Sequence, residues 1–155
     1  MNGRMGRGLS AIALVITLTG CTAGWVRSDA TWETYNNDRF GFAFLYPSDW
    51  IAAPPPTNLD GQAFVHPQSS DIQMRGWAGY RVREEDTLPD TNFTTQQGLE
   101  GMLTVAIGDR VSTMTLELVR DDIIYTWQAQ APTAEFSDYY RLFDYIARQY
   151  RVVQQ

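Results

Sequence analysis

The chain predicts an α+β fold, an antiparallel β-sheet flanked by helices, and three observations lead there. Aromatic residues recur at every second position from Phe40 to Tyr46. Two alternating stretches, 111–119 and 123–131, are joined by Asp121-Asp122, and the chain closes on apolar residues spaced three and four apart. A two-residue period puts side chains on one face of a strand, and a 3.6-residue period puts them on one face of a helix. Strands that alternate need one covered face, and helices are what the remaining sequence offers to cover it.

Before any of these elements comes a leader. Arg4 and Arg7 give a basic start, Leu9 to Leu18 run apolar apart from Ser10 and Thr17, and small residues follow to Cys21. That order is the one a secretory signal peptide needs. The apolar run is half the roughly 20 residues that a spanning helix requires. Leu18-Thr19-Gly20-Cys21 is similar to the bacterial lipobox, in which the cysteine becomes the acylated first residue of the mature protein. Residues 1–20 are therefore expected to be removed, 21–31 to tether, and 32–155 to form one globular domain. Several acyl chains on Cys21 would hold that domain on an extracytoplasmic membrane face: periplasm, cell surface or thylakoid lumen.

The strand pattern then runs in order. Phe40, Phe42, Phe44 and Tyr46 share one strand face that Pro47 ends, and rings at strand spacing read as core rather than as a ligand platform. Trp50 to Ala53 reads as a short strand before the stiff Pro54-Pro55-Pro56. Asp60-Gly61 turns into a strand from Gln62 to His66, and Ile72, Met74, Ala78, Tyr80 and Val82 keep even spacing, with Gly76 and Gly79 as points of close approach. Asn92 to Ile107 changes period: Leu99, Met102, Leu103 and Ala106 fit a helix face, with Asn92 or Thr94 as cap and Gly108 as stop. A hairpin over 111–131 follows. Phe136, Tyr139, Tyr140, Phe143, Ala147 and Tyr150 then mark a final helix behind Thr133.

Composition excludes several chemistries. Cys21 is the only cysteine, so the domain beyond it has no disulfide, thiolate zinc site or thiol redox chemistry. All 12 basic residues are arginine, and with no lysine there is no Schiff base and no P-loop. The formal net charge of −6 argues against nucleic acid as a partner. His66 is the only histidine and lacks a Gly-x-Ser-x-Gly elbow to serve, so a Ser-His-Asp triad is not supported. No cofactor motif occurs; a divalent cation on His66 with Asp71, or with Asp60 across the turn, is short of a closed shell. The acidic stretch Glu84, Glu85, Asp86 and Asp90 lacks the spacing of a calcium loop and reads as a solvated surface.

Two carboxylates in a cleft would suit a small envelope hydrolase, but no pair stands out. Arg75, Trp77, Tyr80 and Arg81 are the candidate partner surface, because arginine and aromatic residues dominate interface hot spots. The alternative is that Trp77 is half-buried and both arginines pair with acids.

The run Tyr35-Asn36-Asn37-Asp38-Arg39-Phe40-Gly41-Phe42 into Tyr46-Pro47-Ser48-Asp49-Trp50, with Asn58-Leu59-Asp60-Gly61 before Phe64, resembles PsbP-like domains and related bacterial lipoproteins. The resemblance spans roughly residues 32–152 and implies an α/β/α sandwich. It further implies a non-catalytic subunit or assembly helper of a membrane protein complex, photosystem II in photosynthetic members, some of them lipid-anchored. Relatives of that type bind divalent metals at surface His and carboxylate residues. It carries over no catalytic residue. The expectation is thus a lipid-anchored, non-enzymatic binding domain, with the hydrolase and a metal or small-ligand carrier as alternatives.

Overall fold

Phe42 and Phe44 are fully buried, and the layers of the domain are arranged around them. The computed structural model describes residues 31–81 and 90–153. Strands β1 (Trp32–Asn37), β2 (Phe42–Pro47) and β10 (Arg151–Val152) form a three-stranded antiparallel sheet in the order β1-β2-β10. Strands β3 (Ile51–Ala52), β4 (Gly61–His66), β5 (Ser69–Tyr80), β6 (Phe93–Thr94), β7 (Glu100–Ala106), β8 (Val111–Arg120) and β9 (Ile123–Pro132) form a seven-stranded sheet. Its order is β3-β4-β5-β9-β8-β7-β6. The helix α1 (Phe136–Arg148) lies against β2, β8 and β9.

The aromatic period of β2 is core, as expected. Phe42 and Phe44 stack on Tyr150 at 5.8 and 6.4 Å between ring centroids, and Phe44 meets Phe64 edge-on at 5.9 Å. Tyr46, half-buried at the end of the row, stacks on Phe64 at 3.9 Å. From the helix, Phe143 packs edge-on against Trp127 of β9. Burying a large apolar side chain contributes about 1.5–3 kcal/mol, so each buried ring of this cluster is a sizeable source of stability.

The two parts of the motif that carried the resemblance meet in space. Asn37 Oδ1 accepts from the Phe40 amide at 2.8 Å, and Gly41 follows at φ +65°, a conformation that suits glycine. Asn37 Nδ2 donates to the Leu59 carbonyl at 3.0 Å, and the Arg39 guanidinium donates to the Asn58 carbonyl. The turn after β1 is therefore pinned to the turn before β4.

Three expectations need correction. Asn92 to Ile107 is not a helix: it forms β6 and β7, with β7 paired to β8. Gly98 sits at φ +83°, and a Cβ on Gly101 would lie 2.4 Å from Leu118 Cδ2 and 2.5 Å from the Glu117 carbonyl oxygen. Those glycines permit a turn and a close strand approach, and the long ladder with β8 outweighs a helical period that they already weakened. Asn92 caps no helix; its carboxamide accepts from Leu103 N–H at 2.7 Å and donates to the Leu103 carbonyl at 2.9 Å. Gln97 treats Val152 of β10 the same way, at 2.9 and 3.0 Å.

Second, Thr133 does not cap α1. Its hydroxyl donates to the Gly108 carbonyl at 2.7 Å and contacts Ser112 Oγ at 2.9 Å. The helix starts after Glu135, whose side chain makes no cap bond. Third, the sheet is not flanked by helices on both sides. The described residues contain one helix, on the side of the small sheet, and the domain is largely β.

Residues 1–30, with Cys21, lie outside the described residues, as do Val82, Glu84, Glu85 and Asp86. Thr31 belongs to the fold, since its carbonyl accepts from Ser48 N–H at 2.9 Å. Among the described residues no helix is long and apolar enough to cross a membrane.

Candidate binding surface

Strand β5 sends alternate residues to opposite sides. Ile72, Met74, Gly76 and Ala78 are buried toward the small sheet and helix; Arg75 is exposed and Gln73 and Trp77 half-buried on the other side. That outer side is built in rows by the strand register. Arg75 pairs with Ala63 on one side and Gln128 on the other, and Gln128 pairs with Thr115. Trp77 sits similarly between Gly61 and Thr126, and Gln73 between Val65 and Gln130.

Side chains connect along the middle row. The Arg75 guanidinium lies 4.4 Å from the centre of the Trp77 ring and donates to Gln128 Oε1 at 2.9 Å. Gln128 Nε2 in turn donates to Thr115 Oγ1 at 3.1 Å. A cation held over an indole is worth about 0.5–1 kcal/mol at an exposed site. Arg75 makes no ion pair among the described residues, so its charge is offered to the surface rather than neutralised. The flat face around it consists mostly of amides and hydroxyls: Gln73, Gln128, Gln130, Thr113 and Thr115.

Beside Trp77 the face deepens into a cleft of about 370 Å³ walled by Pro54, Pro56, Gln62, Arg75 and Trp77. Gly61 makes the cleft floor: a Cβ there would lie 2.1 Å from the Gly76 carbonyl oxygen and 2.7 Å from Trp77 Cβ. Gln62 Nε2 donates to the Ala53 carbonyl at 2.6 Å and holds the start of the proline connector. The cleft carries one carboxylate, Asp60, whose Oδ2 accepts from Asn58 Nδ2 at 2.7 Å.

The four residues singled out in the sequence do not form one patch. Arg75 and Trp77 come together. Tyr80 has the parity of the buried residues; it overruns the core, stays 68% exposed and meets Phe40 edge-on at 5.6 Å. Arg81 joins the β8–β9 turn through its N–H to the Asp122 carbonyl at 2.9 Å. Gly76 does not serve a partner's backbone, because the space over it is filled by the Phe44 ring. Sequence reasoning missed Gln128, Thr115, Pro54 and Pro56; alternation marked the first two as outward-facing, but only strand order places them beside Arg75.

Of the candidate metal residues, Asp60 is held apart from His66. Asp60 and His66 lie at opposite ends of β4, about 20 Å apart at the usual strand rise. His66 Nδ1 accepts from Gln68 N–H at 3.2 Å, and its ring stands edge-on to Trp50 and Tyr139. Asp71 is exposed at the start of β5. Among the described residues, no group of three or more His, Cys, Asp or Glu side chains is placed to hold a metal ion.

No family model matches the chain, and no curated protein matches it. Solved structures do. Cyanobacterial PsbP (CyanoP) from Synechocystis is similar with a TM-score of 0.51 at 18% identity, covering 87% of this chain and 98% of that one. The Ran-binding protein Mog1p of Saccharomyces cerevisiae is similar with a TM-score of 0.52 at 12% identity, covering 81% of this chain and 97% of that one. The fold is therefore of the PsbP and Mog1p type, as the short motif around Asn37 and Pro47 implied.

Proposed function

We propose that this chain is a lipid-anchored, extracytoplasmic, non-enzymatic binding domain that docks on a membrane protein complex through the Arg75–Trp77 face. The observation that carries the reading is the Arg75 guanidinium held over Trp77 on the outer side of the large sheet, in no ion pair among the described residues. Arg and Trp are the residue types that dominate protein interfaces when pre-positioned in this way. The fold supports it, since one of its bearers, Mog1p, is named for binding another protein. The lipobox-like Leu18-Thr19-Gly20-Cys21 supports the anchor. Photosystem II is the complex that the sequence resemblance implies for a photosynthetic source. The single carboxylate in the Trp77 cleft favours binding over an acid–base hydrolase, which needs two.

The test is affinity purification of the protein from its native membrane, with mass spectrometry of what accompanies it. A reproducible set of membrane proteins is expected with the native chain, and its loss with Arg75→Ala/Trp77→Ala. Capture that is indifferent to both substitutions would move the surface elsewhere, and no reproducible capture would remove the reading.

A further inference from the structure

At the end of the sandwich remote from α1's first turn, a cavity of about 420 Å³ opens between the β1–β2 turn, the β8–β9 turn and the end of β10. Phe40, Tyr125 and Val152, each buried, back the cavity, with half-buried Ile123 beside them, while most of its exposed lining is polar. The Tyr125 hydroxyl donates to the Phe40 carbonyl at 3.3 Å and ties the two sheets together at the floor. Exposed Tyr80 forms a side wall and is steadied by its edge contact with Phe40. The volume falls in the range of about 300–1,000 Å³ typical of small-molecule sites.

The rim is charged. Arg39 and Arg120 both line the cavity against one carboxylate, Asp121, on a chain of formal net charge −6. Neither arginine is in an ion pair among the described residues. Arg39 is positioned by neutral groups, the Asn58 carbonyl and the Phe40 ring 4.9 Å away, which fix it without cancelling its charge. Apolar residues behind guanidinium groups that make no ion pair among the described residues suit an organic anion, since a carboxylate bonds a guanidinium strongly and an attached hydrocarbon fills the floor.

We infer that this cavity binds a small organic anion, a carboxylate on a short aromatic or aliphatic body. The carboxylate meets Arg39 and Arg120, and the body lies against Phe40, Tyr80 and Ile123. The site is separate from the Arg75–Trp77 face and does not depend on it.

Amide NMR of the full chain titrated with hydrocinnamate, hydrocinnamyl alcohol and acetate tests the inference. Saturable shifts at Phe40, Ile123 and Val152 are expected with hydrocinnamate, with the alcohol and acetate each weaker by about tenfold or more. Arg39→Gln/Arg120→Gln should abolish the preference of acid over alcohol, whereas Arg75→Ala should leave it intact. Equal affinity for acid and alcohol, or shifts that do not saturate or fall elsewhere, would overturn it. That comparison uses the native chain, so it decides the matter even if the double variant fails to fold.

Discussion

The Phe44 ring occupies the place where a side chain on Gly76 would have to go: a Cβ at residue 76 would come within 2.4 Å of Phe44 Cε1. The contact joins the small sheet to the large one, and Phe44 has no room to retreat because it is also packed on Phe64 and Tyr150. Gly76→Ala is therefore expected to destabilise the domain by about 1–3 kcal/mol, read as a lower urea midpoint. Gly79→Ala is the control, since nothing lies within 4 Å of its added Cβ. Equal midpoints for the two variants would mean that the sheets are not locked here.

Tyr150 gives a prediction of opposite sign. Its hydroxyl is buried with no hydrogen-bond partner among the described residues, while its ring stacks on Phe42 and Phe44. A buried polar group left unpaired costs about 1–3 kcal/mol, and Tyr150→Phe removes the group but keeps the ring. The variant should be as stable as the native chain or more stable. A loss of more than about 1 kcal/mol would show that the hydroxyl is bonded after all.

Alkaline stability is the third expectation. The Tyr46 hydroxyl donates to Glu33 Oε2 at 2.5 Å; that bond, then burial and the carboxylate's charge, push the phenol from 10.0 up to about 12. Burial also raises Tyr125, Tyr139 and Tyr150. The folded chain keeps these protons at pH values where the unfolded chain has lost them. Their contribution is thus complete below about pH 10 and falls as pH rises toward about 12. Urea midpoints measured across that window should drop, and Tyr46→Phe should drop less steeply. An unchanged slope in the variant would remove Tyr46 from the account.

For the anchor, Cys21→Ser should shift the protein from the membrane fraction to the soluble one after cell breakage, since it removes the site of the acyl chains and among the described residues no helix is long and apolar enough to cross a membrane. A variant that still sediments with membranes would sink the lipobox reading.

Where alternation had one buried face, the strands were legible: β2, β5 and the β8–β9 hairpin lie where their periods put them, and β4 lies where the Asp60-Gly61 turn put it. Residues 92–107 misled because Leu99, Met102, Leu103 and Ala106 fit a helix face, whereas β7, Glu100–Ala106, packs only part of one face. The choice was settled by pairing with β8, a long-range term that local spacing does not contain. β1 was marked only as the start of order, since its residues are mostly exposed and show little alternation. The binding face was half legible. Arg75 and Trp77 share a parity on one strand, but Tyr80 shares the parity of the core, and Gln128 becomes their neighbour only through register.

The carboxamides of Asn92 and Gln97 have one more effect. Each presents a donor and an acceptor in the spacing of a peptide unit, and each occupies the free backbone pair on a border of its sheet, at Leu103 and at Val152. A strand from a neighbouring molecule arriving at either border meets a site already taken. Exposed borders are where β-rich proteins polymerise, and two uncharged side chains act here as stoppers against it. Exchanging Asn92 for aspartate would leave an anion facing the Leu103 carbonyl and remove the donor that covers it.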